Sequence, residues 1–319
     1  MRFPFNRFQP IVYQGQGRKE RYFEGWYYKA VTADGRSLAF IPGISLGTDP
    51  HSFIQVIGSA SCLPHVFRFP PEAFRASDSP FSVTIENNRF TKDGLQIHLR
   101  DTNCHVEGAL DFTDQIPVRN NLFWPNSMGP FAWFPRMECN HGVIHLDTRV
   151  SGTVRVDRQD LPFDQDAGYL EKDWGTSFPR SYLWLQCNNF PHQNTSLMLS
   201  IARVPVGPGA FTGVLGFLQH GPNQYRFATY NGTRVHRLNI RDDQLDVTLH
   251  SPFHRLSLQA SRREGGLLDA PVEGSMTVQI RETLDSTVSL RLTDRQNRVI
   301  LESRGTPAGL EIVEGLHNR

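Results

Sequence analysis

The sequence predicts an all-β protein built from two antiparallel barrel-like domains. Three observations carry that prediction: apolar residues recur at every second position, turn-forming pairs punctuate those runs, and the chain repeats itself faintly at an offset of about 150 residues.

The alternation is read in Phe81-Val83-Ile85, Leu95-Ile97-Leu99, Leu245-Val247-Leu249, Met276-Val278-Ile280 and Val288-Leu290-Leu292. Successive side chains of a strand point to opposite faces, so each run is a strand with one buried face. Asp34-Gly35, Asn87-Asn88, Asp93-Gly94, Asn231-Gly232 and Asp242-Asp243 stand between such runs. These residue types accept the left-handed backbone of tight hairpins. No long segment has a helical period, and many short strands with regular turns point to a sandwich or a barrel.

The repeat lays GLQIHLRDTNCHVEGAL (94–110) over QLDVTLHSPFHRLSLQA (244–260), and GWYYKAVTADGRSLAFIPGI (25–44) over LWLQCNNFPHQNTSLMLSIA (183–202). A duplicated domain is the simplest source. RVDRQDLPFDQDAG (155–168) is polar and contains Pro162, a composition suited to a linker, so the domains are expected to span 1–166 and 167–319.

A chain of 319 residues with 39% hydrophobic residues has the length and apolar content for two cores. Lys and Arg number 33 against 32 Asp and Glu, a net charge of +1, which leaves no electrostatic footprint for nucleic acid. The N-terminal residues lack the apolar core of a secretory signal, and no stretch approaches the ~20 apolar residues of a membrane span. The expected location is the cytoplasm, with at most peripheral membrane contact. Cys62, Cys104, Cys139 and Cys187 form no C-x-x-C pair, so neither a zinc site nor a disulfide framework is indicated and free thiols are expected. No metal or cofactor motif and no G-x-S-x-G nucleophile elbow occurs. Phe, Tyr and Trp reach 11% of the residues, enough flat apolar surface to line a pocket as well as fill cores.

Three segments pack aromatic residues, carboxylates and glycine too densely for ordinary half-buried strands: RYFEGWYYK (21–29), MGPFAWFPRMECNHG (128–142) and GYLEKDWGTSFPRSYLWLQCNNF (168–190). In each, a carboxylate lies within two residues of Trp, Phe or Met, a setting that raises its pKa when buried and lets it act as an acid near neutral pH. Strict alternation places Glu171 and Asp173 on one face of a strand and Lys172 on the other. Two close carboxylates resist ionising together, which suits an acid beside an ionised partner.

The run EKDWGTSFP followed by YLWLQCNNF, with FEGWYYK and MECNHG upstream, resembles the tocopherol cyclase family. The resemblance covers most of the chain from about Tyr22 onward, with the four motifs in the family's order. It implies two tandem lipocalin-like (calycin-type) β-barrels and a cofactor-independent, acid-catalysed closure of a prenylated hydroquinone to a chromanol. The substrate it implies is a greasy prenyl or polyene amphiphile, with no nucleic acid partner. Candidate acids are Asp173 and Glu171, then Glu138 and Glu24, with His141 as base or relay. Trp26, Tyr28, Phe131, Trp133, Trp174, Phe178, Trp184 and Asn188 are the candidate substrate-binding residues. Competing structural readings make Glu24 a partner for buried donors, Trp26 and Trp184 core residues, His141 a turn residue and Lys172 half of a surface ion pair. The functional alternatives are a carrier of a lipid ligand and a hydratase or pericyclase acting on a polyene.

Overall fold

Period-two alternation becomes strand throughout the computed structural model, which describes residues 4–316 except 59, 61, 135, 136, 207, 208, 262 and 314. Pro135 and Arg136 of the second aromatic segment therefore lie outside the described residues. The first sheet contains β1 (Tyr22–Val31), β2 (Ser37–Leu46), β3 (His51–Gly58), β4 (His65–Phe69), β5 (Phe74–Asp78), β6 (Phe81–Ile85), β7 (Asn88–Thr91), β8 (Gly94–Arg100), β9 (His105–Ile116), β10 (Cys139–Val156) and β11 (Gln159–Gly175). The second contains β12 (Tyr182–Cys187), β13 (Thr195–Val206), β14 (Gly209–His220), β15 (Asn223–Ala228), β16 (Arg234–Ile240), β17 (Gln244–His250), β18 (His254–Ser261), β19 (Gly266–Val272), β20 (Ser275–Asp294) and β21 (Val299–Val313).

Each sheet is an antiparallel meander that curls into a half-barrel, the lipocalin-like arrangement expected from the sequence. The strand order is β4-β3-β2-β1-β11-β10-β9-β8-β7-β6-β5 in the first and β15-β14-β13-β12-β21-β20-β18-β17-β16 in the second, with β19 on β20. In both, the last strand returns beside the first. The two repeated segments read from the sequence are equivalent hairpins in these orders: β1–β2 with β12–β13, and β8–β9 with β17–β18. Each sheet closes on its own apolar core. Trp26, Tyr28, Phe40, Phe90 and Leu170 belong to the first, and Leu185, Leu199, Leu218, Leu258 and Leu290 to the second.

Burial along the strands separates scaffold from site. β6 alternates buried and half-buried residues as a strand with one wet face should. By contrast β1 is buried on both faces except at Gly25, and β11 is buried on both faces from Ala167 to Lys172. The density of aromatic and charged residues in these motifs reflects that two-sided burial.

Four expectations are corrected. Residue 166 is not a boundary, because it lies inside β11; one compact unit comprises residues up to Phe178 together with Leu267–Gln279, the other Pro179–Gly266 and Ile280 onward. The polar 155–168 run is part of the β10–β11 pair, with Leu161 and Phe163 buried and Asp160, Pro162 and Asp164 turned to water, so its composition records an exposed strand face. Cys62 and Cys104 are not free thiols: they are joined as a disulfide with Cα atoms 5.5 Å apart, while Cys139 and Cys187 are free. A pair separated by 42 positions leaves no local spacing signal. Finally, Val278 is exposed although its run alternates. No helix among the described residues is long and apolar enough to cross a membrane.

Candidate active site

Tyr169, Glu171 and Asp173 alternate along β11 and share one face, while Leu170, Lys172 and Trp174 take the other. The β10–β11 register sets His141 opposite Asp173 and Val143 opposite Glu171. His141 Nδ1 lies 2.8 Å from Asp173 Oδ1, and its Nε2 lies 3.2 Å from Glu171 Oε2. Tyr169 Oη donates to that same Glu171 oxygen at 2.5 Å. The side chains are 13% (His141), 5% (Glu171) and 23% (Asp173) exposed, so the cluster is shielded from water yet open at Asp173.

Burial alone would lower the imidazole pKa. The charge of Asp173 and then that of Glu171 outweigh it, leaving His141 well above the ordinary histidine value. The ring is thereby held toward its protonated form between the two carboxyl groups. The donor atoms of His141, Glu171 and Asp173 lie within 4.8 Å of one another, a spacing within reach of a single metal ion.

Backbone geometry holds these side chains. Ser127 Oγ donates to the His141 carbonyl at 2.7 Å and accepts from Val143 N at 3.2 Å. Gly175 ends β11 at φ +154°, where a Cβ would stand 2.1 Å from the Glu138 carbonyl oxygen. That carbonyl accepts from Thr176 N at 2.7 Å and Ser177 N at 3.2 Å. Glu138 thus serves the fold through its main chain while its carboxylate faces water. An exposed carboxylate has no dry setting for proton delivery to carbon, which removes the reason for placing Glu138 among the acids.

The opposite face of β11 carries a separate charge pair. Lys172 Nζ lies 2.5 Å from Glu24 Oε1, with both side chains 0% exposed. Lys172 also donates to the carbonyls of Pro10 at 2.8 Å and Val12, and sits 4.8 Å from the ring centres of Trp26 and Trp174. Glu24 accepts from Tyr22 Oη and from Gln14 N at 2.9 and 3.0 Å. Burial drives Glu24 up and Lys172 down, and each is pulled back by the other's charge. With these partners the pair is a buried strut that fastens residues 10–14 to the barrel. Trp26 belongs to the same fastening, since its Nε1 donates to Ile11 O at 2.7 Å. Lys172 is among the most buried side chains of the described residues, so the competing reading of a surface ion pair does not hold.

Beside the His141 cluster the sheet carries two glycines in register. Across the strands the row runs His141, Asp173, Gly25, Gly43 and Phe53. The Phe53 ring covers Gly43, where a Cβ would meet it at 2.4 Å, whereas a Cβ at Gly25 would meet nothing nearer than 3.6 Å. Gly25 is the half-buried residue in an otherwise buried strand. Tyr27, the register partner of Glu171, meets Tyr169 edge to face at 6.5 Å. The row therefore has acid groups at one end and the Phe53 ring at the other.

The structure gathers Asp173, Glu171 and His141, and it does not gather the other candidates with them. Glu24 and Trp26 lie on the Lys172 face. Tyr28 is core, its Oη donating to Thr91 O at 2.9 Å. Trp174 stacks on Lys172. Phe131 and Trp133 lie on a short 3-10 turn, where Trp133 is exposed against Phe8, and Phe178 packs on Phe23. Trp184 and Asn188 are buried in the second unit. Sequence reasoning missed Tyr169, Tyr27, Gly25 and Phe53. The signal for Tyr169 was present, because Tyr169, Glu171 and Asp173 share one period-two phase.

A family model described as tocopherol cyclase-like matches residues 124–314. The chloroplastic tocopherol cyclase of Zea mays is 23% identical over 201 residues, 60% of this chain and 42% of that protein, so the match spans less than half of the relative. Among solved structures, a Nitrosomonas europaea protein assigned as an AttH superposes with a TM-score of 0.55 at 14% identity, covering 98% of this chain and 96% of that one. Kievitone hydratase of Nectria haematococca superposes with a TM-score of 0.52 at 10% identity, covering 95% and 93%. At these identities the two superpositions speak to the fold alone.

Proposed function

The chain belongs to the tocopherol cyclase-like family, and on that premise we propose that it is an enzyme that closes a prenylated hydroquinone to a chromanol by proton transfer at the His141–Glu171–Asp173 cluster. The observation that carries the reading is the nearly dry imidazole held between the carboxyl groups of Glu171 and Asp173, with Gly25 in register beside Asp173. In this reaction a cluster proton passes to the less substituted carbon of the prenyl alkene. The phenol oxygen then attacks the tertiary cation, and the phenolic proton returns to the cluster. The product is an isomer of the substrate, so no further reactant is consumed.

Each group has a stated task. Asp173 holds the imidazole through Nδ1, Glu171 is the more buried carboxyl, and Tyr169 fixes the Glu171 oxygen. Aromatic faces stabilise a cation by roughly 0.5–2 kcal/mol each, and Tyr27 and Phe53 are the rings we assign to that role. Exclusion of water protects the cation from capture as an alcohol.

A second reading has water, in place of the phenol, as the nucleophile. The partial exposure of Asp173 favours it, because that edge of the cluster admits solvent. Incubating the purified protein with 2,3-dimethyl-6-phytylhydroquinone separates the possibilities. A chromanol of unchanged mass supports cyclisation, a product heavier by one water supports hydration, and recovery of bound, unaltered ligand across several prenylquinols rejects catalysis on this class in favour of carriage.

A further inference from the structure

We propose that His98, His105 and Glu107 form a surface site for a divalent first-row ion of the zinc type, on the β8–β9 hairpin and independent of the proton-transfer cluster. The register places His98 directly opposite Glu107, and His105 lies two residues before Glu107 on the same face. His105 Nε2 lies 3.4 Å from Glu107 Oε2, and His98 Nδ1 lies 3.7 Å from that same oxygen. All three donor atoms lie within 4.8 Å of one another.

These spacings suit a metal better than hydrogen bonds. Ligands at about 2.0–2.2 Å from a tetrahedral zinc ion stand about 3.4 Å apart, which is the His105–Glu107 separation. The same separation is too long and too poorly aligned for a good N–H···O bond, and His105 Nε2 is a buried nitrogen that finds no hydrogen-bond partner among the described residues. A buried ring nitrogen left in that state is costly unless something else engages it. The three groups carry their donors without competition from one another. His98 is largely exposed and can swing by the ångström needed for closure. Glu107 presents Oε2 to both imidazoles, while its Oε1 faces the Arg155 guanidinium at 3.8 Å. Arg155 itself is engaged by Asp160 at 2.6 Å, so it does not occupy the site.

Two imidazoles and one carboxylate favour zinc, copper or nickel over magnesium or calcium, and three protein ligands leave a fourth position for water. The Cys62–Cys104 disulfide lies in the turn of the same hairpin, immediately before His105. An ion at this site would clamp β8 to β9 from the wet face as the disulfide clamps the hairpin's end to residue 62.

The test is calorimetric titration of untagged, chelator-treated protein with zinc chloride at pH 7.5, with magnesium chloride as the control. We expect one equivalent of zinc lost in the His98→Ala, His105→Gln double variant, affinity lowered at least about tenfold in Glu107→Gln, and no magnesium uptake. The thermal midpoint of the wild type should rise with zinc, and that of His98→Ala should not; His98 is exposed, so this variant keeps its fold. His141→Gln should retain the equivalent, which separates this site from the cluster on β10 and β11. Equal zinc stoichiometry in the wild type and the double variant, or no wild-type binding below millimolar zinc, overturns the proposal.

Discussion

His141 Nδ1 lies 2.8 Å from Asp173 Oδ1 across the β10–β11 pair, and this contact keeps the imidazole charged in a site where burial alone would discharge it. Two consequences follow. By NMR titration, His141 of the wild type should titrate above the ordinary value of about 6.5, and Asp173→Asn should lower it by roughly one to three units. A folded pKa above the unfolded one contributes stability that is complete below about pH 6.5 and lost as pH rises through the folded value. The stability advantage of the wild type over His141→Gln should therefore shrink on the alkaline side. An advantage that grows there would contradict the assignment.

The Glu24–Lys172 strut makes a sharper stability prediction. Lys172→Met strands a buried carboxylate and should cost about 3–5 kcal/mol in urea unfolding. Combining it with Glu24→Gln should recover much of that loss, with a coupling of at least about 1 kcal/mol. Additive losses would mean that the two charges do not meet.

Gly25 is the check on where the substrate sits. A Cβ there makes an ordinary 3.6 Å contact with Ile41, so Gly25→Ala should fold and turn over substrate. The longer side chain of Gly25→Leu should crowd the approach to Asp173, its register partner. We expect at least about tenfold loss of turnover with the thermal midpoint within a few degrees of Gly25→Ala. Unimpaired turnover in Gly25→Leu would place the substrate elsewhere.

Much of this arrangement was legible in side-chain periodicity. The phase of Tyr169, Glu171 and Asp173 already put three polar groups on one side of a strand, and the dense FEGWYYK and EKDWG runs marked strands wet on neither face. What stayed hidden depends on main-chain atoms or on distant partners. Glu138 acts through a carbonyl, which leaves no mark on residue type. Lys172 is buried because carbonyls of Pro10 and Val12, some 160 positions away, accept its protons. The Cys62–Cys104 bond and the row from Asp173 across Gly25 to Phe53 need the sheet register, which composition does not contain.

The central claim is that the buried cluster gives a proton to carbon. Turnover of 2,3-dimethyl-6-phytylhydroquinone in deuterium oxide, followed by mass spectrometry and NMR of the chromanol, tests it most directly. The account predicts one deuterium on the former alkene CH. It also predicts rates lowered about 10²–10⁴-fold in Glu171→Gln and His141→Gln, with Glu138→Gln unchanged. A chromanol without deuterium at that carbon, or full activity in both cluster variants, would contradict it.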